Sequence, residues 1–375
     1  MKSPVHLRTL SSLLRGWLFR GPVYVQLAVT PRCNLHCPMC QVVKTWKGEP
    51  ELTLSQLETL AANLMKLGVG YVVLTGGEPF LRQDLPAVIR LFSERGFDVR
   101  LQTNGTLTSV ELAERLVGNG LRHLSVSLNS LDPKKEEEFS SQGPAWEKIM
   151  ETLGIFSELL PARESMVVIN SVVLPDNLEE LPALAEFARK SGFFNSFIPV
   201  HTGESDSEFN YRSPTSRYRF LPEDHKRIDR VYGRLLELKS KGYPVFGSRR
   251  FLRESAEYIK TGKTVWSCPI PDLFFEIAPD GRYSPCSEFT TRYSVLDPDF
   301  PQIYRSSDFR REIKKYAAGC PGCMYACWPE VTYMTTSLKV FLERGWEFFR
   351  LLRFNRPRHS PEELIEIAAS SRGFS

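Results

Sequence analysis

Three cysteines stand close together in the sequence Thr30-Pro31-Arg32-Cys33-Asn34-Leu35-His36-Cys37-Pro38-Met39-Cys40. An apolar, β-branched run at residues 23–29 precedes them and predicts a strand, so the three thiols are expected on the loop after that strand. Three thiolates on one short loop can bind three irons of a four-iron cluster and leave the fourth iron open. The alternatives are a structural zinc ion, which would need a fourth ligand such as His36, or thiols that bind no metal.

The segment from residue 23 to residue 200 alternates between short β-branched runs and longer helical patterns. Strands are predicted at residues 23–29, 71–74, 99–101, 124–128, 166–173 and 197–200. Helices are predicted between them at residues 54–67, 84–95, 110–117, 146–160 and 181–190, and a further helix at 223–241. Strict alternation of strand and helix predicts a parallel sheet covered by helices, and six strands fit either an incomplete barrel or a doubly wound sheet.

Polar residues lie in or directly after the successive predicted strands. They are Gly76, Gly77, Glu78 and Pro79 after the second strand, Thr103 and Asn104 after the third, Ser127 and Asn129 at the end of the fourth, Asn170 in the fifth and His201 after the sixth. Each turn by itself fits a structural role. Because the carboxyl ends of parallel strands form the active face of α/β barrels, all of them together with the cysteine loop predict a functional site. His201 fits either acid–base work or a hydrogen-bonded structural role.

The C-x3-C-x2-C loop after the first strand resembles the signature of the radical S-adenosylmethionine (radical SAM) superfamily. The resemblance covers about residues 20–235 and implies an α/β fold, a partial (β/α)6 TIM-type barrel, with a [4Fe-4S] cluster on Cys33, Cys37 and Cys40. Met39 departs from the family pattern, in which an aromatic residue often stands near the adenine. The cofactor contacts implied for SAM are Gly76, Gly77, Glu78, Pro79, Thr103, Asn104, Ser127, Asn129 and Asn170.

The resemblance assigns roles to these residues. Gly76, Gly77 and Glu78 are expected to receive the methionine amino group, and Ser127 and Asn129 to meet the ribose or the carboxylate. One electron from the cluster would cleave SAM to methionine and a 5′-deoxyadenosyl radical, which removes a hydrogen atom from the substrate. The resemblance does not name a catalytic residue of the protein. It implies a reductant such as flavodoxin or ferredoxin.

A second group of cysteines comprises Cys268, Cys286, Cys320, Cys323 and Cys327. Its opening, Cys268 and then Gly281-x4-Cys286, resembles the SPASM and twitch extensions of radical SAM enzymes, which carry auxiliary four-iron clusters. Five cysteines fit the one-cluster twitch type, with four of them as ligands and Cys268 and Cys286 the safest. The sequence leaves the odd one open among the last three cysteines. Zinc and structural thiols are the alternatives for this group.

The substrate is not determined by the sequence. The first expectation is a metabolite, sugar or lipid precursor, and the alternative is a ribosomally made peptide, as for maturases of the SPASM or twitch type. A rival from another class is a non-enzymatic iron–sulfur or zinc-binding protein. The sequence predicts an N-terminal amphipathic segment at 1–22, the core barrel at 23–235, a helical connection at 236–260, the auxiliary cluster domain at 261–335 and a helical tail at 336–375.

Composition narrows the class of protein and its surroundings. The chain has 375 residues, of which 42% are hydrophobic and 25% charged, as in ordinary globular proteins. Its net charge of +4 is too small to indicate nucleic-acid binding. Clustered cysteines without a secretory signal predict the cytoplasm. Basic amphipathic stretches at residues 5–20 and 338–354 are expected to pack on the barrel, with peripheral membrane contact as the alternative.

Overall fold

The computed structural model describes residues 12, 16 and 21–374, except for 142, 204–211, 214 and 215, and it does not describe the side chains of residues 348 and 350–352. The amphipathic stretch predicted at residues 5–20 therefore lies outside the described residues, apart from Ser12 and Gly16. The described residues form a mixed α/β structure around one sheet.

The sheet has nine strands in the order β7-β6-β5-β4-β3-β2-β1-β8-β9. They are β1 (Tyr24–Ala28), β2 (Tyr71–Thr75), β3 (Asp98–Thr103), β4 (His123–Ser127), β5 (Met166–Val173), β6 (Phe194–Pro199), β7 (Val245–Phe246), β8 (Phe274–Ile277) and β9 (Tyr283–Ser284). Strands β1 to β8 pair in parallel, and β9 pairs with β8 in the antiparallel sense. Within the described residues β7 and β9 are the two ends of the sheet, so the barrel is partial, as predicted.

Helices follow the strands and cover the sheet. They are α1 (Val42–Thr45), α2 (Leu54–Leu67), α3 (Leu85–Glu94), α4 (Val110–Gly118), α5 (Pro133–Ser140), α6 (Ala145–Leu159), α7 (Leu181–Ser191), α8 (His225–Ser240), α9 (Arg249–Thr261), α10 (Phe300–Arg305), α11 (Ser307–Ala318), α12 (Cys327–Thr336), α13 (Leu338–Arg353) and α14 (Pro361–Ser371). All six helices predicted between residues 54 and 241 are confirmed. The bounds of α2 could be predicted from the sequence because both ends carry capping residues. A capping box of Thr53 and Gln56 begins the helix, and Gly68, with φ of 83°, ends it.

The two faces of the sheet differ in polarity. One face of the sheet packs against the helices and forms the main hydrophobic core, with fully buried side chains such as Val25, Leu27, Val72 and Leu74. The residues that alternate with these along each strand point to the other face, toward the inside of the barrel. The inward positions include Gln26, Ser125, Ser127, Asn170 and Ser196. The interior of the barrel is therefore polar.

Strand β6 begins earlier than the sequence predicts, at Phe194 rather than residue 197. The polar pair Asn195 and Ser196 hid its start. In the structure the Asn195 amide donates to the Ile169 carbonyl oxygen and to Ser171 Oγ, both at 3.0 Å. These bonds satisfy the N–H donors of a buried side chain inside the sheet, which a hydrophobicity pattern does not reveal.

Residues after 240 extend the sheet at both ends. The predicted connection at 236–260 contains β7, which pairs with β6, and α9. The cysteine-rich segment contributes β8, which pairs with β1 from Tyr24 opposite Phe274 to Leu27 opposite Ile277. The segment thus shares the sheet of the barrel and does not have to build a large core of its own.

The C-terminal helices lie against the outside of the barrel. Helix α14 begins at the N-cap Ser360, which forms a capping box with Glu363, and it packs on α6 and α7. A Cβ at Gly154 in α6 would lie 2.6 Å from the Pro361 nitrogen, so the close approach of these helices requires glycine. Among the described residues no helix is long and apolar enough to cross a membrane.

Asn63 on α2 ties the barrel to the cysteine-rich segment. Its buried amide donates to the carbonyl oxygens of Val295 and Asp297, both at 2.8 Å. We expect Asn63→Ala to lower the free energy of unfolding by about 1–3 kcal/mol, because the two hydrogen bonds of this buried amide are lost and the buried Val295 carbonyl loses its donor. Thr59→Ala, an exposed change on the same helix, is the control and should leave the urea midpoint nearly unchanged. Equal midpoints for both variants would contradict this role of Asn63.

Candidate functional site

The cysteine loop after β1 is held by backbone hydrogen bonds to the loop after β2. The Gly77 amide donates to the Thr30 carbonyl oxygen at 2.9 Å, and the Glu78 amide donates to the Arg32 carbonyl oxygen at 2.7 Å. A Cβ at Gly77 would lie 2.1 Å from the Arg32 oxygen, and one at Gly76, where φ is 138°, would lie 2.3 Å from the Thr30 oxygen. Both positions therefore need glycine for close contact between the loops.

Glu78 joins the second loop to the third. Its buried carboxylate accepts hydrogen bonds from Thr103 Oγ1 at 2.7 Å, from the Asn104 amide at 2.7 Å and from the Phe80 amide at 3.1 Å. Burial raises the pKa of Glu78 to about 7, against the three hydrogen bonds, which lower it. Glu78 thus positions the loops after β2 and β3 through its side chain. Pro79, also buried, begins the short turn that follows.

The loop after β3 also contacts the cysteine loop directly. Asn104 Nδ2 donates to Asn34 Oδ1 at 2.9 Å and lies 3.9 Å from Cys33 Sγ. Asn34 in turn donates to Thr106 Oγ1 at 2.9 Å. Three loops predicted to share one rim are thereby connected by hydrogen bonds beside the first cysteine.

Ser127 and Asn170 face the same side of the sheet as register partners in β4 and β5. Their side chains make no hydrogen bond within the part of the chain that the structure describes, and both are only partly buried. They lie at the rim with polar atoms available to a ligand. Asn129, in contrast, is buried, and its Oδ1 accepts a hydrogen bond from the Val172 amide at 2.9 Å.

Glu136 is a site residue that the sequence analysis missed. Its buried carboxylate accepts from the amides of Asn129 and Ser130, at 2.7 and 2.8 Å, and burial raises its pKa to about 7. In the sequence, Glu136 stands in the acidic run Glu136-Glu137-Glu138, a pattern typical of a solvated face. The Asp132-Pro133 pair, an N-cap followed by proline at the first helical position, was the available signal that α5 begins here.

The three thiols of the first group affect one another. Burial first, and then the neighbouring Cys40, Cys33 and Glu136, raise the pKa of Cys37 to about 12. Cys33 and Cys37 are partly buried and Cys40 is exposed, as is His36. Binding to a metal would displace their protons and remove this penalty, since thiolates are the ligand form.

In the described residues no three His, Cys, Asp or Glu side chains converge as tightly as a single metal ion requires. Cluster ligands bind different irons and so stand further apart than the ligands of one ion. Three mutually close thiols on a loop fixed by its neighbours fit such a cluster.

Four cysteines of the second group line one small cavity: Cys268, Cys286, Cys320 and Cys323. The pKa of Cys323 is raised first by burial and then by Cys268 and Cys320, and that of Cys286 by burial, Cys323 and Cys268. Cys327 is not part of this lining. Its Sγ accepts a hydrogen bond from Gln26 Nε2 of β1 at 3.0 Å, and burial first and then Glu276 of β8 raise its pKa to about 12. The structure therefore separates Cys327 from the other four.

A buried polar group supports the loop around Cys323. His201 Nε2 accepts a hydrogen bond from the Met324 amide at 2.8 Å, and its ring stacks on Tyr325 with centroids 3.7 Å apart. Burial holds the pKa of His201 well below its usual range, so the ring is neutral and can accept. Arg212 Nη2 donates to the Gly322 carbonyl oxygen at 2.6 Å. Of its two predicted roles, His201 thus has the structural one.

Comparison with known proteins shows the family of the chain. The family model described as the radical SAM superfamily matches residues 27–188. A protein named AdoMet-dependent heme synthase from Methanosarcina barkeri is 30% identical over 334 residues, which cover 82% of this chain and 93% of that protein. The chain belongs to the radical SAM superfamily. It is therefore an enzyme of a family that uses a four-iron cluster and SAM, which decides against the non-enzymatic alternative.

Other relatives and solved structures match to different extents. A GTP 3′,8-cyclase from Marinobacter nauticus is 34% identical over 179 residues, covering 47% of this chain and only 53% of the cyclase. Streptococcus suis SuiB, solved with its precursor peptide SuiA, has a TM-score of 0.60 at 16% identity. The match covers 82% of this chain and 70% of the SuiB chain. The enzyme anSMEcpe, solved with AdoMet and the peptide Cp18Cys, has a TM-score of 0.56 at 17% identity. The match covers 93% of this chain and 99% of the anSMEcpe chain. These two likenesses describe the fold, including part of the C-terminal unit, and agree with the predicted partial barrel.

Gly77→Ala tests the contact between the first two loops. The added Cβ would overlap the Arg32 carbonyl group and push the cysteine loop away. We expect iron per chain after anaerobic reconstitution to fall, with loss of SAM cleavage, because the displaced loop would no longer hold a four-iron cluster. Gly118→Ala, whose Cβ would meet no atom within 4 Å, is the matched control and should keep its iron. Unchanged iron in Gly77→Ala would refute the close-contact argument.

Glu136→Gln tests the buried carboxyl group of α5. The folded pKa of about 7 exceeds the ordinary 4.5, so the stability contributed by the neutral group is complete below about pH 4.5 and is lost as the pH rises through about 7. Between pH 5 and pH 8 the difference in unfolding free energy should shift by about 2 kcal/mol in favour of the variant. Urea unfolding of the metal-free protein at both pH values measures it. Glu138→Gln, exposed on the same helix, should show no such shift; an equal shift there would rule out burial as the cause.

Proposed function

We propose that this radical SAM enzyme oxidises a small organic substrate with the help of a second, auxiliary [4Fe-4S] cluster. In this proposal Cys33, Cys37 and Cys40 hold the SAM cluster, and Cys268, Cys286, Cys320 and Cys323 hold the auxiliary one. When bound, these groups supply reductive cleavage of SAM to methionine and a 5′-deoxyadenosyl radical, hydrogen-atom removal from the substrate, and an acceptor for the electron that the substrate radical then gives up.

The residues of the rim have distinct parts in the proposal. The backbone oxygens of Gly76 and Gly77 receive the ammonium group of SAM, while Glu78 keeps the loop in place through Thr103 and the Asn104 amide. Ser127 and Asn170 offer uncommitted polar atoms to the ribose or carboxylate. Asn129, held by Glu136, completes this side of the pocket.

Met39 supports a position for the adenine. It packs against an apolar cluster of Phe139, Leu174 and Tyr218, together with Val172 and Val200. This cluster lies beside the end of β5, next to the proposed ribose contacts. We infer that Met39 covers the adenine there in place of the aromatic residue that is frequent in the family.

The observation that supports an oxidative role is the cavity with four thiols. A cluster bound by four protein thiolates has no open iron for a substrate, which favours electron transfer over substrate binding. The cavity is also lined by Trp266, Phe289 and Trp328, and such apolar walls limit access of water. Because Cys327 bonds Gln26 outside this lining, it is the cysteine excluded from the ligand set.

A substrate class can be proposed from the relatives. The heme synthase of M. barkeri aligns with 82% of this chain, whereas the GTP 3′,8-cyclases align with 47% to 71% of it. We therefore propose a metabolite-type substrate and take a tetrapyrrole as the first probe. The second candidate is a ribosomally made peptide, because SuiB and anSMEcpe, which share the fold, were solved with peptides. A reductant such as flavodoxin or ferredoxin and a cytoplasmic location complete the proposal.

The ligand set is tested by counting metals. In a background in which Cys33, Cys37 and Cys40 are alanine, we expect about four irons and no zinc per chain after anaerobic purification. Adding Cys323→Ser should remove this iron, because Cys323 lines the cavity, whereas adding Cys327→Ser should keep it. Iron lost with Cys327→Ser and kept with Cys323→Ser would reverse the assignment. About one zinc in place of iron would make the second group a structural zinc site.

The substrate class is tested by product formation under reductant. Wild type should release 5′-deoxyadenosine slowly without substrate and faster with a matching one, since hydrogen removal consumes the radical. We expect stimulation by a carboxylated porphyrin and none by short unstructured peptides. The opposite result would favour the peptide alternative. Cys37→Ala is the control and should give no 5′-deoxyadenosine with either substrate.

A further inference from the structure

Helix α13 presents an apolar stripe to solvent. Leu338, Leu342, Trp346 and Phe349 stand three or four residues apart and so share one face, and each side chain is exposed, Trp346 to 63%. The rings of Trp346 and Phe349 stack with centroids 5.5 Å apart. Phe354, just beyond the helix, is 58% exposed. A contiguous exposed apolar surface of this kind marks an interaction site.

The opposite face of α13 is fixed to the body of the protein. Val340 and Arg344 are buried, and the Arg344 guanidinium lies 4.0 Å from the centre of the Phe246 ring. Glu347 pairs with Lys239 at 2.5 Å, and Glu343 pairs with Arg249 at 3.2 Å. The stripe therefore does not turn inward, because the buried face is already occupied by ion pairs and packing.

The charges of α13 are divided between its two faces. Its two acidic residues, Glu343 and Glu347, both belong to the inward ion pairs. Around the exposed stripe the charged side chains of the helix that the structure describes are basic: Lys339 at one end and Arg353 at the other, both exposed. Arg358, also exposed, follows Phe354. The solvent-facing surface is thus apolar and cationic.

We propose that this face of α13 docks the enzyme on an anionic phospholipid surface. A helix that lies in the membrane interface has an apolar face that enters the acyl boundary and basic residues that meet anionic head groups. Tryptophan prefers that boundary, since its ring is apolar while its N–H reaches water. The fixed inward face sets the orientation, so the barrel would rest on the bilayer through this one side.

A bilayer fits this surface better than a second copy of the chain does. Two copies that meet through the stripe would bring Lys339 and Arg353 of each near those of the other, and α13 offers no exposed carboxylate to offset them. Anionic head groups supply that negative charge. The inference is independent of the substrate proposed above.

Flotation of the full-length holoenzyme with vesicles tests the proposal. Two kinds are compared: phosphatidylcholine alone, and equal parts of phosphatidylcholine and phosphatidylglycerol. We expect flotation with the anionic vesicles and an about tenfold loss of bound protein in Leu342→Ser/Trp346→Ser. Lys339→Gln/Arg353→Gln should reduce flotation with the anionic vesicles, and added salt should do the same for wild type. Val265→Ser/Leu221→Ser removes two exposed apolar side chains elsewhere and is the matched control.

Three outcomes would overturn the proposal. Wild type could fail to float with the anionic vesicles, or Leu342→Ser/Trp346→Ser could float as wild type does. Sedimentation velocity could instead show a wild-type dimer that this variant dissolves, without flotation of either, which would make the face an interface between copies. Basal SAM cleavage equal to wild type in every variant shows that the changes leave the fold intact.

Discussion

Two backbone hydrogen bonds, from Gly77 to Thr30 and from Glu78 to Arg32, fix the cysteine loop to its neighbour. They form only because neither Gly76 nor Gly77 carries a Cβ, which would overlap the carbonyl oxygens of the cysteine loop. Glu78 then transmits this position to the loop after β3 through Thr103 and Asn104. A chain of short contacts between strand ends thus fixes the position of the loop that carries the three thiols.

The second cysteine group depends on the barrel in a different way. Strand β8 pairs with β1, the strand that leads into the first cysteine loop, so both groups of thiols are attached to one continuous sheet. Cys286 stands just after β9, and Cys320 and Cys323 come from the loop after α11, which His201 and Arg212 hold from the β6 side. The buried polar groups around the cavity therefore join the rim of the barrel to the auxiliary loop.

Much of the candidate site could be predicted from the sequence, because its motifs are made of residues that are close together along the chain. The spacing of Cys33, Cys37 and Cys40, and the turns after β2 and β3, are contiguous in sequence and follow strands with clear patterns. Glu136 was not readable, because its partners are backbone amides of Asn129 and Ser130, and a backbone amide leaves no trace in the sequence. The early start of β6 was hidden for a related reason, since the N–H donors of Asn195 bond to groups on β5.

The sequence alone determined the family, the alternation of strand and helix, and the two groups of cysteines, because each rests on residue types at short spacing. Tertiary structure decided which thiols meet. Cys327 is only four residues from Cys323, yet α12 begins at Cys327 and its thiol turns to Gln26 of β1, about 300 positions away in sequence. Tertiary structure also decided which face of α13 is exposed, because its two carboxylates, Glu347 and Glu343, form ion pairs with Lys239 on α8 and Arg249 on α9. Long-range pairing of this kind depends on how separate elements pack, which spacing along the chain does not encode.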